Sequence, residues 1–284
     1  MRKCINGHIG FGKIRKCKRC GEILLANKNW RKGRIERYAT RFASKAYKIY
    51  LEKGVYVLKV VMREQNPQAY IYAKKEIQML LALIDCEYVV RLINSKIEND
   101  AVYILEDYCE SVSQKIKSGA LSKNSIANLG MDICRALMEC REKRIYHLDI
   151  QPQNLYIDTQ GRYKLGGFDA ALYKEQLKSN VDLSGALDYM APEVYYHQQY
   201  SEQAQIYSLG LVLYYLYSGS MPFSNDTEVG DAVHRRLSGE AFPSIEDDDW
   251  MNFINKACAY NKEERFATFE ECLEALKKYL ENLN

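Results

Sequence analysis

Two short runs in the middle of the chain constrain its fold more than any other feature. One reads His147-Leu148-Asp149-Ile150-Gln151-Pro152-Gln153-Asn154, and the other Gly167-Phe168-Asp169. Neither stands alone. Upstream lie Tyr56-Val57-Leu58-Lys59 and Ala73-Lys74-Lys75-Glu76-Ile77. Downstream lie Tyr189-Met190-Ala191-Pro192-Glu193, Tyr207-Ser208-Leu209-Gly210 and Arg265. The stretches between them carry secondary-structure periods. Residues 47–50 and 55–61 alternate or run apolar, as paired strands do, with Lys53-Gly54 at a turn. Residues 125–143 place Ile126, Leu129, Ile133, Leu137 and Cys140 at helical spacing.

Taken in order, these runs resemble the protein kinase family from residue 35 onward. The run 147–154 resembles the catalytic loop H-R-D-x-x-x-x-N. Positions 167–169 fall where that family keeps D-F-G, and 189–193 contains A-P-E. The resemblance implies an α+β, bilobal protein-kinase-like fold. A small β-rich N-lobe with one main helix would span about 37–107, and a larger helical C-lobe about 108–284. It implies that Lys59 pairs with Glu76, and that Arg265 clamps Glu193. Leu80, Leu92, His147 and Phe168 match the apolar stack that links the lobes of an active-like kinase.

The resemblance also shows what is missing. Phosphoryl transfer needs backbone amides around the phosphates, metal ions to neutralise charge, and a base to orient the hydroxyl. The glycines of the phosphate loop would fall at about Phe42, Ser44 and Tyr47, and 38–53 contains no glycine at all. The metal-binding aspartate is Gly167, which has no ligand atom. Asn154 remains, but one neutral amide oxygen is a poor site for a hard dication. Asp169 is two residues on, displaced about 6–7 Å along an extended chain. Asp149 matches the catalytic base. Leu148 replaces the arginine beside it, and Gln151 replaces the lysine that touches the transferring phosphate. Ala186 stands near the usual threonine, and Gln205 replaces the aspartate that anchors the loop. In the nucleotide pocket, Val57 and Leu105 line the site, and Tyr156 has the bulk to fill the space under the base. ATP and magnesium are therefore not expected to bind. Asp149, Asn154, Lys59 and Glu76 read as retained but inactive positions.

A second unit precedes this body. Cys4, His8, Cys17 and Cys20 form two compact pairs, Cys-x3-His and Cys-x2-Cys, a complete tetrahedral donor set. About twenty residues cannot build an apolar core, so a structural zinc would supply the folding energy. The segment resembles a short zinc ribbon over 1–22, joined to the body by a basic linker over 23–36 that holds a short helix or turn. Residues 1–50 carry 15 lysines and arginines against Glu22 and Glu36. The remainder holds 25 basic against 35 acidic residues. Such a basic module suits a nucleic acid, an acidic partner or the acidic body itself. The other six cysteines are scattered and read as reduced thiols. No apolar run is long enough to span a membrane, and 1–6 lacks the apolar core of a secretory signal. A cytoplasmic protein is expected.

Three functions fit. The leading one is a pseudokinase, a signalling scaffold that acts by binding protein partners, an active kinase among them. The alternatives are a weak ATP-dependent Ser/Thr kinase and a nucleic-acid-associated regulator that uses the basic ribbon.

Overall fold

The computed structural model describes residues 2–4, 9–10, 24–25, 34–41, 44–51, 54–98, 100–119, 121–177, 187–224 and 229–283. The chain divides into two compact units, Met1–Gln78 with Arg91–Tyr108, and Met79–Val90 with Cys109–Asn284.

The first unit holds two antiparallel sheets. Strands β1 (Arg2–Cys4), β2 (Ile9–Gly10) and β3 (Leu24–Leu25) pair in the order β2-β1-β3. Five further strands are β4 (Arg34–Arg41), β5 (Ser44–Leu51), β6 (Gly54–Met62), β7 (Leu92–Glu98) and β8 (Ala101–Asp107), in the order β4-β5-β6-β8-β7. Leu24 and Leu25 pair with β1, and β4 begins at Arg34. Both ends of the segment read as a linker are thus strand, and its middle, 26–33, where a short helix or turn was expected, lies outside the described residues. Pairing partners distant in sequence decide the strand ends, and no local pattern carries them. Helix α1 (Pro67–Ala82) lies between β6 and β7. It starts with Pro67 in the first turn and with the Asn66 side chain accepting from the Ala69 amide at 2.9 Å.

Register sorts β6 into two faces. Leu58 stands opposite Leu105, Lys59 opposite Ile104, and Val57 opposite Glu106. With a side-chain period of two, Leu58, Val60 and Met62 join Tyr47, Ile49 and Leu105 in a dry cluster. Val57, Lys59 and Val61 face the other way, with Val102, Ile104 and Glu106.

The second unit is mainly helical. After β9 (Glu110–Ser111) come α2 (Val112–Ser118) and α3 (Lys123–Glu142). Next come β10 (Ile145–Tyr146), β11 (Leu155–Ile157), β12 (Tyr163–Leu165) and β13 (Leu172–Tyr173). The chain ends in α4 (Pro192–His197), α5 (Glu202–Ser218), α6 (Val229–Leu237), α7 (Asp248–Ala257) and α8 (Phe269–Leu283). The expected stripe on α3 is real. Ile126, Leu129, Ile133, Leu137 and Cys140 are all buried. Ser122, Ser201 and Asp247 cap α3, α5 and α7, each accepting from an amide three residues on. Helix α5 is buried on nearly every side, which suits its almost wholly apolar run from Leu209. Gly130 lets α3, α5 and α8 meet. A Cβ there would lie 2.7 Å from Leu276 and 3.0 Å from Leu213. No helix among the described residues is long and apolar enough to cross a membrane.

Candidate functional site

In the second unit the loop 147–151 leaves β10, passes through a 3-10 turn at Pro152–Asn154 and enters β11. His147 is fully buried and holds the loop from three directions. Its backbone N–H donates to Gln205 Oε1 at 2.9 Å. Its Nδ1 accepts from the Asp149 amide at 3.3 Å, and its Nε2 stands 3.0 Å from the Gly166 carbonyl oxygen. These partners fit one neutral tautomer, with the proton on Nε2. Burial pushes its pKa below the usual histidine value, against the opposing pull of the Asp149 and Asp169 carboxylates and the Gly166 carbonyl. The ring meets Phe168 edge-on, with centroids 4.7 Å apart.

Gln205 therefore does not leave the loop unanchored, as its replacement of an aspartate suggested. A neutral acceptor of greater reach takes the same kind of bond from the His147 backbone.

Asp149 is held between two amides. Gln151 Nε2 donates to its Oδ1 at 2.6 Å, and Asn154 Nδ2 donates to its Oδ2 at 2.6 Å. The same Asn154 nitrogen reaches the Asp149 carbonyl at 2.7 Å. Each carboxylate oxygen thus carries a donor from the chain itself, and neither donor is charged. Asn154 is wholly buried, and its own carbonyl accepts from the Gly166 amide at 2.9 Å.

Gly167 lies directly against this cluster. Its φ is +76°, and a Cβ there would lie 2.2 Å from Asn154 Oδ1 and 2.5 Å from Asn154 Cγ. The space where a side chain at 167 would begin is filled by the amide of Asn154. Asp169 is exposed. Its carboxylate is felt at His147 as a charge. Tyr156 sits on β11 between Lys164 and Ser111, and its ring edge packs on Gly166. Position 167 supplies no carboxylate beside Asn154 Oδ1, and the neighbouring Asp149 carboxylate already takes a donor on each oxygen. A dication favours several oxygen ligands, carboxylates among them, and Gly167 contributes none.

In the first unit Lys59 and Glu76 are brought together as the motif order implied, Nζ to Oε1 at 2.8 Å. A third group joins them. Glu106 sets both carboxylate oxygens on the same ammonium, Oε1 at 3.1 Å and Oε2 at 3.0 Å. The sequence reading missed this residue, because a glutamate near a strand end reads as a surface group. The one usable signal is its register beside Val57, on the face of Lys59. Val57 and Leu105 are buried on opposite faces of their paired strands, so Leu105 belongs to the dry cluster with Leu58 rather than to the face of Lys59.

The second unit also contains the expected clamp. Arg265 Nη1 and Nη2 donate to Glu193 Oε1 and Oε2 at 2.8 and 2.9 Å, and its remaining donors reach the carbonyls of Ala259, Gln203 and Tyr260. A second buried arginine, Arg236, was not read from sequence. It donates to the carbonyls of Met190 and Leu187 and to the Tyr207 hydroxyl. Leu80 and Leu92 are buried.

Several sequence positions lie outside the described residues. They include His8, Cys17 and Cys20, Phe42 and Ala186. Cys4 is described only as strand backbone.

Comparison with known proteins decides the family. The protein kinase domain matches residues 43–278. The chain belongs to the protein kinase family. Among curated kinases it is 26% identical to Aurora kinase C of Mus musculus over 182 residues, 63% of this chain and 66% of that protein. It is 30% identical to the serine/threonine-protein kinase PEPKR2 of Arabidopsis thaliana over 156 residues, 54% of this chain and 33% of that one. CBL-interacting serine/threonine-protein kinase 8 of Arabidopsis thaliana is 32% identical over 158 residues, 53% and 35%. The chain spans between a third and two thirds of the length of these kinases. Within the family frame, the sheet with α1 is the β-rich part and 109–284 the helical part.

Proposed function

We propose that this kinase-family chain is a pseudokinase, a binding module whose phosphoryl transfer is lost or severely impaired. One observation carries the reading. Position 167 has no carboxylate, and the Asn154 amide fills the place where one would begin. The neighbouring groups agree with it. Asp149 already takes a chain donor on each oxygen, and Gln151 brings no positive charge to the place where transition-state charge builds. The test is transfer of labelled phosphate from ATP, with magnesium and with manganese, to the chain itself and to a general acceptor protein. Incorporation that is abolished by Asp149→Asn overturns the reading.

A second reading has its own support and stands at least level on the comparisons. The relatives are Ser/Thr kinases, the Lys59–Glu76 pair is closed at 2.8 Å, and Asp149 and the Arg265–Glu193 clamp are present. On that reading the chain is a Ser/Thr protein kinase with an unconventional metal site, and the same assay decides for it.

The N-terminal module is proposed to hold one structural zinc through Cys4, His8, Cys17 and Cys20. Its basic charge suits an acidic protein partner. A nucleic acid is the other candidate, and salt-dependent retardation of RNA or DNA that is lost on deleting 1–33 would favour it.

A further inference from the structure

The kinase motifs account for Glu76 beside Lys59 but not for Glu106. Its carboxylate lies on a sheet face otherwise lined by Val57, Val61, Val102 and Ile104. Its side chain is 6% exposed, that of Glu76 8%, and that of Lys59 22%. Two carboxylates therefore touch one ammonium in a largely desolvated place. Glu76 alone balances Lys59. A second carboxylate on the same ammonium adds desolvation cost. In this family the strand lysine is the group that meets the nucleotide phosphates.

We infer that Glu106 stands in for a phosphate group and withholds Lys59 from nucleotide. Its two oxygens span the ammonium as two phosphate oxygens would. Its charge repels any polyanion that approaches. The inference rests on the reading that phosphate handling is lost, and it names one residue that causes the loss. Both glutamates sit in the same unit as Lys59.

The test is calorimetric binding of ADP in buffer without added magnesium or manganese, which removes the nucleotide's metal from the question and leaves the proposed zinc in place. Three full-length chains are compared: the unaltered chain, Glu106→Gln, and Glu106→Gln combined with Lys59→Ala. Gln keeps the shape and removes the charge. Glu106→Met serves where Gln does not fold, and thermal melting checks each variant. Glu106→Gln is expected to bind ADP at least about tenfold more tightly than the unaltered chain, as one neutralised charge in contact with the site implies. The gain is expected to vanish in the double variant. A folded Glu106→Gln chain that binds no better overturns the inference, and so does a gain that survives loss of Lys59. Phosphate transfer by the unaltered chain would overturn the pseudokinase reading instead. The two failures are thus distinguishable.

Discussion

Asn154 Oδ1 stands 2.2 Å from the point where a Cβ at Gly167 would lie. The asparagine cannot step aside cheaply, because its nitrogen is bonded to both the carboxylate and the carbonyl of Asp149. An aspartate placed at 167 should therefore meet Asn154 before it meets a metal. Gly167→Asp and Gly167→Ala should each lower stability by about 2–4 kcal/mol, combining left-handed strain with overpacking. The loss should shrink in an Asn154→Ala background, and urea unfolding of the six chains (both 167 variants and the parent in each background) measures this. Equal losses in both backgrounds would show that Asn154 is not what fills the space.

The Arg265–Glu193 pair is two-pronged, with the arginine side chain wholly buried and the glutamate 11% exposed. Arg265→Ala strands that carboxylate and three carbonyls. It should cost about 3–5 kcal/mol. Arg265→Lys keeps the charge but loses the fork, so it should recover only part of the loss. Denaturant midpoints rank the three chains. A lysine variant as stable as the parent would show that charge alone matters.

His147 gives the fold a pH dependence of known sign. Its folded pKa is depressed by burial, so below the unfolded value of about 6.5 the unfolded chain binds a proton that the folded chain refuses. Stability is untouched above that value and falls as the pH drops below it, by up to about 1.4 kcal/mol per pH unit. Unfolding midpoints at pH 7.5, 6.5 and 5.5 should show the decline. In His147→Phe the chain should be weaker at pH 7.5, because two ring hydrogen bonds are gone, but its slope between 6.5 and 5.5 should be shallower. An unchanged slope would assign the dependence to other groups.

What the sequence made legible follows from physics of short range. Alternation in 47–50 and 55–61 marks strands, and the stripe from Ile126 to Cys140 marks a helix buried along one side. The order of motifs marks the family. What it hid depends on reach and register. Gln205 read as a lost anchor because its charge was gone, yet anchoring the His147 N–H needs only an oxygen at the right distance. Gln151 read as a lost lysine, and its new role, a donor to Asp149, shows only once the loop is folded. Glu106 reads as polar punctuation until strand pairing sets it beside Val57. Arg236 sits near the basic end of α6, where a cation is expected to face water and meet the helix dipole. Its burial against the carbonyls of Leu187 and Met190 is a tertiary fact.

The zinc proposal makes its sharpest prediction through thiols. Cys109, Cys134, Cys140, Cys258 and Cys272 are buried, and burial pushes the thiols of Cys258 and the half-buried Cys86 up to about 12. Thiols that are buried and fully protonated react slowly with a disulfide reagent. Cys4, Cys17 and Cys20, bound to a metal as thiolates, would be masked as well. The native chain should therefore show almost no fast-reacting thiol and should carry about one zinc by elemental analysis. A strong chelator should release the metal and expose three thiols together, because a small module held by one ion opens as a unit. Cys17→Ser or Cys20→Ser should abolish zinc content without chelator. Three fast thiols in a chain purified with no metal, and unaltered by added zinc, would remove the metal centre from this account.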